Sequence, residues 1–303
     1  MVLRSKISHS EIKRVLVVFK SSKLDRYRDD GSLFARKDVG DEDVSRVYER
    51  LTVAHDEHEA SVAEIEGCID SLGLEVVRAT QPRKSDVTRS DLVVPIGGDG
   101  TFLWTARKVE GVPMLGVNSA PGASTGHYCG ATSATFRNTL QAICSGELSA
   151  SPLPRLKLEI NGSRVPYLAL NDAFFSHRCP AASSRYLLRV GPNHSLQVSS
   201  GVWLSTQSGS TGAINSAGGD LMKASDGRIQ YLVNNPYRGD EIDPNLLHGY
   251  TSDTVKFVSR SPNNAVYLDG ATLSYRLDFG SVLTVGLAEE KLMVYNYGRS
   301  KMP

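Results

Sequence analysis

The stretch Pro95-Ile96-Gly97-Gly98-Asp99-Gly100-Thr101 limits the fold more than any other part of this chain. The apolar run Leu92-Val93-Val94 ahead of it reads as a buried strand, and residues 102–109 behind it read as a helix. Gly97, Gly98 and Gly100 let the backbone approach a ligand with no Cβ in the way, and can supply turn dihedrals with φ > 0. A strand-turn-helix junction also presents free N–H groups at the positive end of a helix dipole, which suits a phosphate. Asp99 is out of character there. A carboxylate repels phosphate unless it holds a metal ion or takes a proton from an attacking hydroxyl. It is either a turn residue capping the helix or a catalytic one.

Around this junction, strand-like runs alternate with helical spacing. Residues 15–19 are a continuous apolar run read as the first buried parallel strand, and residues 74–79, 92–96 and 114–117 read as the next three strands. Residues 20–43 are charged, glycine-punctuated and read as a mobile loop. Val44, Val47, Tyr48 and Leu51, then Val62, Ile65, Cys68, Ile69 and Leu72, predict one long helix or two short ones, closed by Gly73. Ser133 is the predicted N-cap of a helix using Phe136, Leu140 and Ile143. This alternation predicts a doubly wound parallel sheet. Ligands bind such sheets at the carboxyl ends of the strands, where the Gly97 turn falls.

The pattern changes after Gly146. Residues 156–160, Asn161-Gly162 and residues 165–170 read as a hairpin with a type I′ turn. Short β-rich runs follow at 173–176, 186–190, 201–205, 229–233, 255–258, 265–268, 282–285 and 292–295, with one possible helix near 210–218. The expected fold class is α/β plus all-β: an α/β domain over residues 1–148, then a β-rich, sandwich-like domain over 149–282. The tail, residues 283–303, is expected to pack back on the first domain.

Composition excludes several classes of function. With 303 residues, 40% hydrophobic and 22% charged, and a net charge of +1, the chain has no broad field to attract nucleic acid or a membrane. Phosphorylated ligands must be held by local sites. Cys68, Cys129, Cys144 and Cys179 are far apart and form no Cys-x-x-Cys pair, which argues against a zinc site or disulfides and for a reducing, cytoplasmic compartment. No apolar run approaches the ~18 residues of a membrane span, and the start lacks the apolar core of a signal peptide. Ser300-Lys301-Met302 resembles a peroxisomal tripeptide, but Pro303 follows it and argues against that address.

Two further clusters carry polar chemistry. Ser205-Thr206-Gln207-Ser208-Gly209-Ser210-Thr211-Gly212, followed by Ser216-Ala217-Gly218-Gly219, is either a donor-rich, anion-tolerant turn or a solvated loop. In Leu170-Asn171-Asp172 an amide beside a carboxylate can grip both hydroxyls of a ribose, although an Asx turn is the plainer reading in isolation. Neither a Walker A loop nor a Gly-x-Gly-x-x-Gly fingerprint is present. Gly122-Ala123-Ser124-Thr125-Gly126 matches a hydrolase nucleophile elbow, with Asp172 and His177 later in the chain. Pro121 and a strand ending near Val117 withhold the strand context that an elbow needs. His127, His177 and His248 show no metal-ligand spacing and read as solvated or packed, so no metal-ligating set is predicted.

Taken in order across the change of architecture, the three clusters resemble the NAD kinases. Gly97-Gly98-Asp99-Gly100-Thr101 with Ala106-Arg107 is similar to that family's Gly-Gly-Asp-Gly-Thr-x-x-x-x-Ala-Arg, and Pro113-Met114-Leu115-Gly116-Val117-Asn118 to its following strand. Ser124-Thr125-Gly126-His127, Ala169-Leu170-Asn171-Asp172, Cys179-Pro180-Ala181-Ala182 and Ser183-Ser184-Arg185 resemble the plant-type NADH kinase branch. The resemblance covers roughly residues 90 to 275.

It implies an ATP-dependent kinase acting on the adenosine 2′-hydroxyl of NAD+ or NADH, with Mg²⁺ or another divalent cation. It also implies a homo-oligomer, expected to be a dimer, with nucleotide bound by the first domain and dinucleotide by the second. Asp99 would be the base. Gly97, Gly98, Gly100 and Thr101 would approach phosphates. Asn171 and Asp172 would bind ribose and nicotinamide-side groups, Arg185 would contact the dinucleotide, and Ser208, Ser210, Thr211 and Ser216 would line the same site. Gly212-Ala213 stands where the family has Ala-Tyr, Ser200 where it has aspartate, and Tyr128-Cys129-Gly130 where it has Leu-Gly-Phe. These departures leave the choice between NAD+ and NADH open. Two other readings share the turn: a lipid kinase of the diacylglycerol or sphingosine type, and a non-catalytic dinucleotide sensor.

Overall fold

The computed structural model describes residues 12–29, 42–237 and 243–297. The chain divides into two compact units, with the division after Pro152 and again before Leu292. The start of the chain, residues 30–41 and Ser300-Lys301-Met302-Pro303 lie outside the described residues.

The first unit runs β1 (Arg14–Phe19), α1 (Lys23–Asp29), α2 (Glu42–Ser71), β2 (Glu75–Ala79), α3 (Lys84–Thr88), β3 (Leu92–Ile96), α4 (Asp99–Ala106), β4 (Gly116–Asn118), β5 (Cys129–Thr132) and α5 (Ser133–Cys144). Its five strands form one sheet in the order β2-β1-β3-β4-β5, with every pair parallel. Val15 and Val17 pack with Ile65 and Ile69 of α2 and with Phe136, Leu140 and Ile143 of α5. Leu16 and Val18, one residue out of phase, are fully buried too, so both faces of the sheet are covered. That explains why the central strands β1 and β3 are continuous apolar runs. Each such side chain contributes roughly 1.5–3 kcal/mol by its burial.

Pro95 lies inside a central strand, where its missing N–H costs a ladder bond. The loss falls on the β4 side. There Val93 N–H donates to Pro113 (3.0 Å) and Gly97 N–H to Val117 (2.9 Å), with the proline between them.

Several local expectations shift. Residues 20–43 are not all loop, since α1 lies within them. The apolar spacing that allowed one helix or two is a single 30-residue helix. The N-cap of α5 is Thr132, which exchanges bonds with Thr135 in a capping box. Cys129-Gly130-Ala131-Thr132 forms a strand although no apolar run marks it.

The second unit contains β7 (Leu156–Ile160), β8 (Ser163–Arg164), β9 (Asp172–His177), β10 (Ser184–Val190), β11 (Asn193–Ser199), β12 (Gly201–Ser205), α6 (Ala213–Ser216), β13 (Ile229–Asn234), β14 (His248–Thr251), β15 (Val255–Ser259), β16 (Asn264–Leu268), β17 (Ser274–Leu277) and β18 (Val282–Leu287). Ahead of it comes β6 (Ala150–Leu153), and after it β19 (Leu292–Tyr295). Two six-stranded sheets, β11-β10-β15-β18-β7-β8 and β14-β13-β12-β9-β16-β17, share one core. Phe175 of one stacks on Phe257 of the other at 4.7 Å. This is a β-sandwich. Asn161 and Gly162 have φ of 51° and 79°, as a type I′ turn requires. The helix expected near 210–218 is reduced to the four residues of α6.

The tail begins later than residue 283. β18 pairs with β15 and β7 inside the sandwich, so residues 283–291 belong to the second unit. Only β19 returns to the first. It pairs with β6, and Met114 bonds Met293 and Tyr295 through the backbone.

Candidate active site

The turn after β3 places Gly97 at φ +150°, where a Cβ would lie 2.5 Å from Thr101 Oγ1. Only glycine fits that combination. Gly98 is the N-cap of α4, and a Cβ on it would lie 2.5 Å from Ser124 Oγ. Gly100 faces open space. Asp99 therefore occupies the first helical position, and Thr101 sits one turn ahead of Thr105, whose hydroxyl donates to its carbonyl (2.8 Å).

Both Asp99 carboxylate oxygens are held by backbone donors. His127 N–H donates to Oδ2 (2.9 Å) and Tyr128 N–H to Oδ1 (2.8 Å). Each oxygen has a second lone pair, so the clamp orients the carboxylate and leaves it acceptor capacity. The clamp is itself packed. Tyr128 stacks on Phe102 (5.2 Å) and on Tyr297 (5.8 Å), and His127 Nε2 lies 3.1 Å from the Tyr297 hydroxyl. Burial, reinforced by the Asp99 charge, pushes the Tyr297 phenol up to about 12 and the Cys129 thiol up to about 12.

In the second unit, Leu170-Asn171-Asp172 enters β9 across a second carboxylate clamp. Asp269 Oδ1 accepts the N–H groups of Leu170 (2.9 Å), Asn171 (2.7 Å) and Asp172 (3.4 Å). The Asn171 amide donates to Asp172 Oδ2 (2.9 Å). The segment after β12 lies directly on Asn171: a Cβ on Gly209 would fall 1.6 Å from its carbonyl oxygen, and one on Gly212 2.8 Å from its amide nitrogen. These glycines are needed for close approach, since neither has positive φ.

The expected site residues separate accordingly. Gly97, Gly98, Asp99, Gly100 and Thr101 form one turn in the first unit. Asn171, Asp172, Ser208, Ser210, Thr211 and Ser216 gather in the second, but with different exposure. Ser208 is buried, donating to the Leu170 carbonyl (3.1 Å), and Ser210 donates to Gln207 (2.8 Å) and accepts from Met222 (3.1 Å). Both serines brace the loop. Thr211 and Ser216 are exposed. Arg185 stands apart: His177, at the far end of β9 from Asp172, donates to Ser184 (2.7 Å) next to it. The six residues of β9 separate those ends by roughly 17 Å at ~3.3 Å per residue.

The hydrolase reading falls. Ser124 sits in the loop between β4 and β5, with no helix behind it. Among the described residues, one group has metal-ligand geometry: Asp25, His55 and Glu59 each bring an atom within 4.8 Å of the others. Ser22 already engages both Asp25 and His55. His127 is packed, its ring edge-on to Tyr128 and Tyr297, and its backbone N–H holds Asp99. Sequence reasoning missed Asp269, His127, Tyr128 and Tyr297. Asp269-Gly270 after an apolar run was the one available signal, and it reads equally as a turn.

Residues 11–148 match the family model described as the ATP-NAD kinase N-terminal domain. Over 219 residues the chain is 36% identical to the probable NADH kinase of Oryza sativa subsp. japonica, covering 64% of this chain and 67% of that one. Over 230 residues it is 30% identical to the NADH kinase of Arabidopsis thaliana, covering 68% and 72%. The fold is shared with an NAD kinase from Archaeoglobus fulgidus in complex with ATP (TM-score 0.68, 21% identity, 94% of each chain covered). It is shared too with yeast NADH kinase complexed with NADH (TM-score 0.71, 16% identity, 94% and 84% covered). Sequence and fold agree, and the chain belongs to the NAD kinase family of phosphotransferases.

Proposed function

We propose that this chain transfers the γ-phosphoryl group of ATP to the adenosine 2′-hydroxyl of NAD+ or NADH. The carrying observation is the Asp99 carboxylate, oriented by two backbone N–H groups at the start of α4, beside a turn that only glycine can make. The 2′-oxygen attacks the γ-phosphorus, the bond to the β–γ bridging oxygen breaks, ADP leaves, and Asp99 takes the hydroxyl proton. Asn171 and Asp172 hold ribose and nicotinamide-side groups of the dinucleotide, and Thr211 lies on the exposed side of the same loop.

A divalent cation suits Asp99. Mg²⁺ is commonly held by one or two carboxylates together with substrate phosphates and water, and Asp99 retains acceptor capacity beyond its two N–H partners. The ion would neutralise charge on the transferred group.

A lipid kinase would have no use for the Asn171–Asp172 cluster. A pure sensor would gain by losing a carboxylate near phosphates. The cytoplasmic compartment rests on four free cysteines, and the homo-oligomer on the family resemblance alone. Among the described residues no helix is long and apolar enough to cross a membrane. The deciding experiment supplies ATP, Mg²⁺ and either NAD+ or NADH, and measures the 2′-phosphorylated product. Absence of product from both acceptors, with dinucleotide binding intact, would overturn the kinase.

A further inference from the structure

Four cations, Lys20, Arg26, Arg107 and Lys108, gather beside the Gly97 turn, and only Arg107 belongs to the glycine motif. Lys20 is the first residue after β1. Its neighbour Phe19 is in register with Ile96, so Lys20 stands next to Gly97 at the carboxyl edge of the sheet. Strand order reverses here, with β2 on one side of β1 and β3 on the other. Open parallel sheets bind ligands at such switch points. Lys20 Nζ lies 4.5 Å from the centroid of the Trp104 ring, and Lys108 Nζ lies 4.3 Å from the same centroid. The charges acting on Lys20 come from Arg26, Arg107 and Lys108, all of them cations. Burial first, and then these cations, lower the Lys20 ammonium to about 8. Its backbone is pinned. Buried His58 joins the Lys20 carbonyl (Nε2, 3.1 Å) to the Ser119 hydroxyl (Nδ1, 2.8 Å).

Gathering like charges around one indole is unfavourable, and cation–π attraction offsets only part of the repulsion. A multiply charged anion resolves it. Resting on the kinase reading, we propose that Lys20 and Lys108, with Trp104 between them and Arg26 and Arg107 beside them, form the subsite for the β- and γ-phosphates of the nucleoside triphosphate donor. The glycine turn then supplies backbone donors, and these side chains supply the charge. The plainer account is that both lysines merely lay their stems over an apolar ring.

The test compares wild type with Lys20→Met and Lys108→Met, singly and together. Methionine keeps the apolar stem and removes the charge. Inorganic tripolyphosphate is the binding probe, read by calorimetry and by thermal shift. The expected result is a KM for ATP raised at least about tenfold by either substitution. The KM for the dinucleotide should stay within about twofold. The double variant should lose the tripolyphosphate shift, and its Tm without anion should be equal to or above that of wild type. Lys108→Arg should retain the ATP KM, which guards against a packing artefact.

Tripolyphosphate binding undiminished in the double variant overturns the subsite, and so does a rise in the KM of the dinucleotide rather than of ATP. Binding is read without turnover, so the two readings can fail separately. A wild type that forms no 2′-phosphate, yet binds tripolyphosphate through these lysines, overturns the kinase reading and keeps an anion subsite. Normal turnover with an unmoved ATP KM in both single variants overturns the subsite and keeps the kinase.

Discussion

Asp99 and Asp269 use the same device in the two units and end in opposite states. Each carboxylate gathers backbone N–H groups, two from His127 and Tyr128 for Asp99 and three from Leu170, Asn171 and Asp172 for Asp269. Asp269 is 8% exposed and takes three successive backbone donors on Oδ1, so it fixes the path of the chain into β9. Asp99 is partly exposed at the first position of a helix, with one backbone donor on each oxygen and glycine on both sides. The same interaction is a brace in one place and a mount in the other. Exposure and neighbours decide which.

The sharpest way to break this contrast is Asp99→Asn. The substitution keeps shape but removes the base, and kcat should fall about 10³-fold. The dinucleotide Kd should stay within about threefold, because the acceptor is held elsewhere. Turnover and a binding titration together check it. Retained turnover would make Asp99 a brace like Asp269.

Next in size is a pair of glycine substitutions. Gly209→Ala drives a methyl to 1.6 Å from the Asn171 carbonyl oxygen, against backbone that cannot rotate away. It should cost about 3 kcal/mol or more and weaken dinucleotide binding. Gly98→Ala meets only the end of the Ser124 side chain at 2.5 Å, which can rotate away. It should cost about 1 kcal/mol or less in stability. Denaturant unfolding of both variants measures the difference.

The contrast also explains what could be read from the sequence. The Gly97 turn is legible because strand, turn and helix are contiguous and glycine leaves a local mark. So is the sandwich, through period-two burial in strands such as β10, where Ser184, Tyr186, Leu188 and Val190 alternate with Arg185 and Arg189. Asp269 is hidden because its partners lie 97 to 99 residues away and an Asp-Gly pair usually marks a turn. Tyr297 is hidden for the same reason, 170 residues from His127. The distance of Arg185 from Asn171 is not legible either, because sequence order does not tell which end of a strand a residue joins. β5 escaped because two of its four residues are glycine and threonine rather than large apolar ones.

Asp269→Ala is the complementary experiment. Three N–H groups lose their acceptor, and a buried donor left without one costs about 1–3 kcal/mol, so the whole loss should be about 2–3 kcal/mol after local rearrangement. Dinucleotide affinity should drop because Asn171 and Asp172 are no longer held, while the KM for ATP should not move. A loss of ATP affinity equal to that of the dinucleotide would contradict the division of labour.

The smallest effect is the dependence of stability on alkaline pH, and it separates the two carboxylates without any substrate. Cys129 rises from 9.0 to about 12 and Tyr297 from 10.0 to about 12. These acids stay neutral in the fold while the unfolded chain ionises. Below pH 9 their contribution is fully present. Between 9 and 12 the unfolded state binds fewer protons than the folded one, so stability falls as pH rises. Lys20 works the other way, since its lowering from 10.5 to about 8 favours the fold as pH rises through that interval. Thermal unfolding from pH 8 upward should therefore show a falling Tm that Cys129→Ala flattens and Lys20→Met steepens. The Asp99 charge adds to both acid shifts, so Asp99→Asn should also flatten the fall, whereas Asp269→Ala should lower Tm by the same amount at every pH. If the two aspartate variants alter the slope equally, the Asp99 carboxylate is not the local charge that the Cys129 and Tyr297 shifts require.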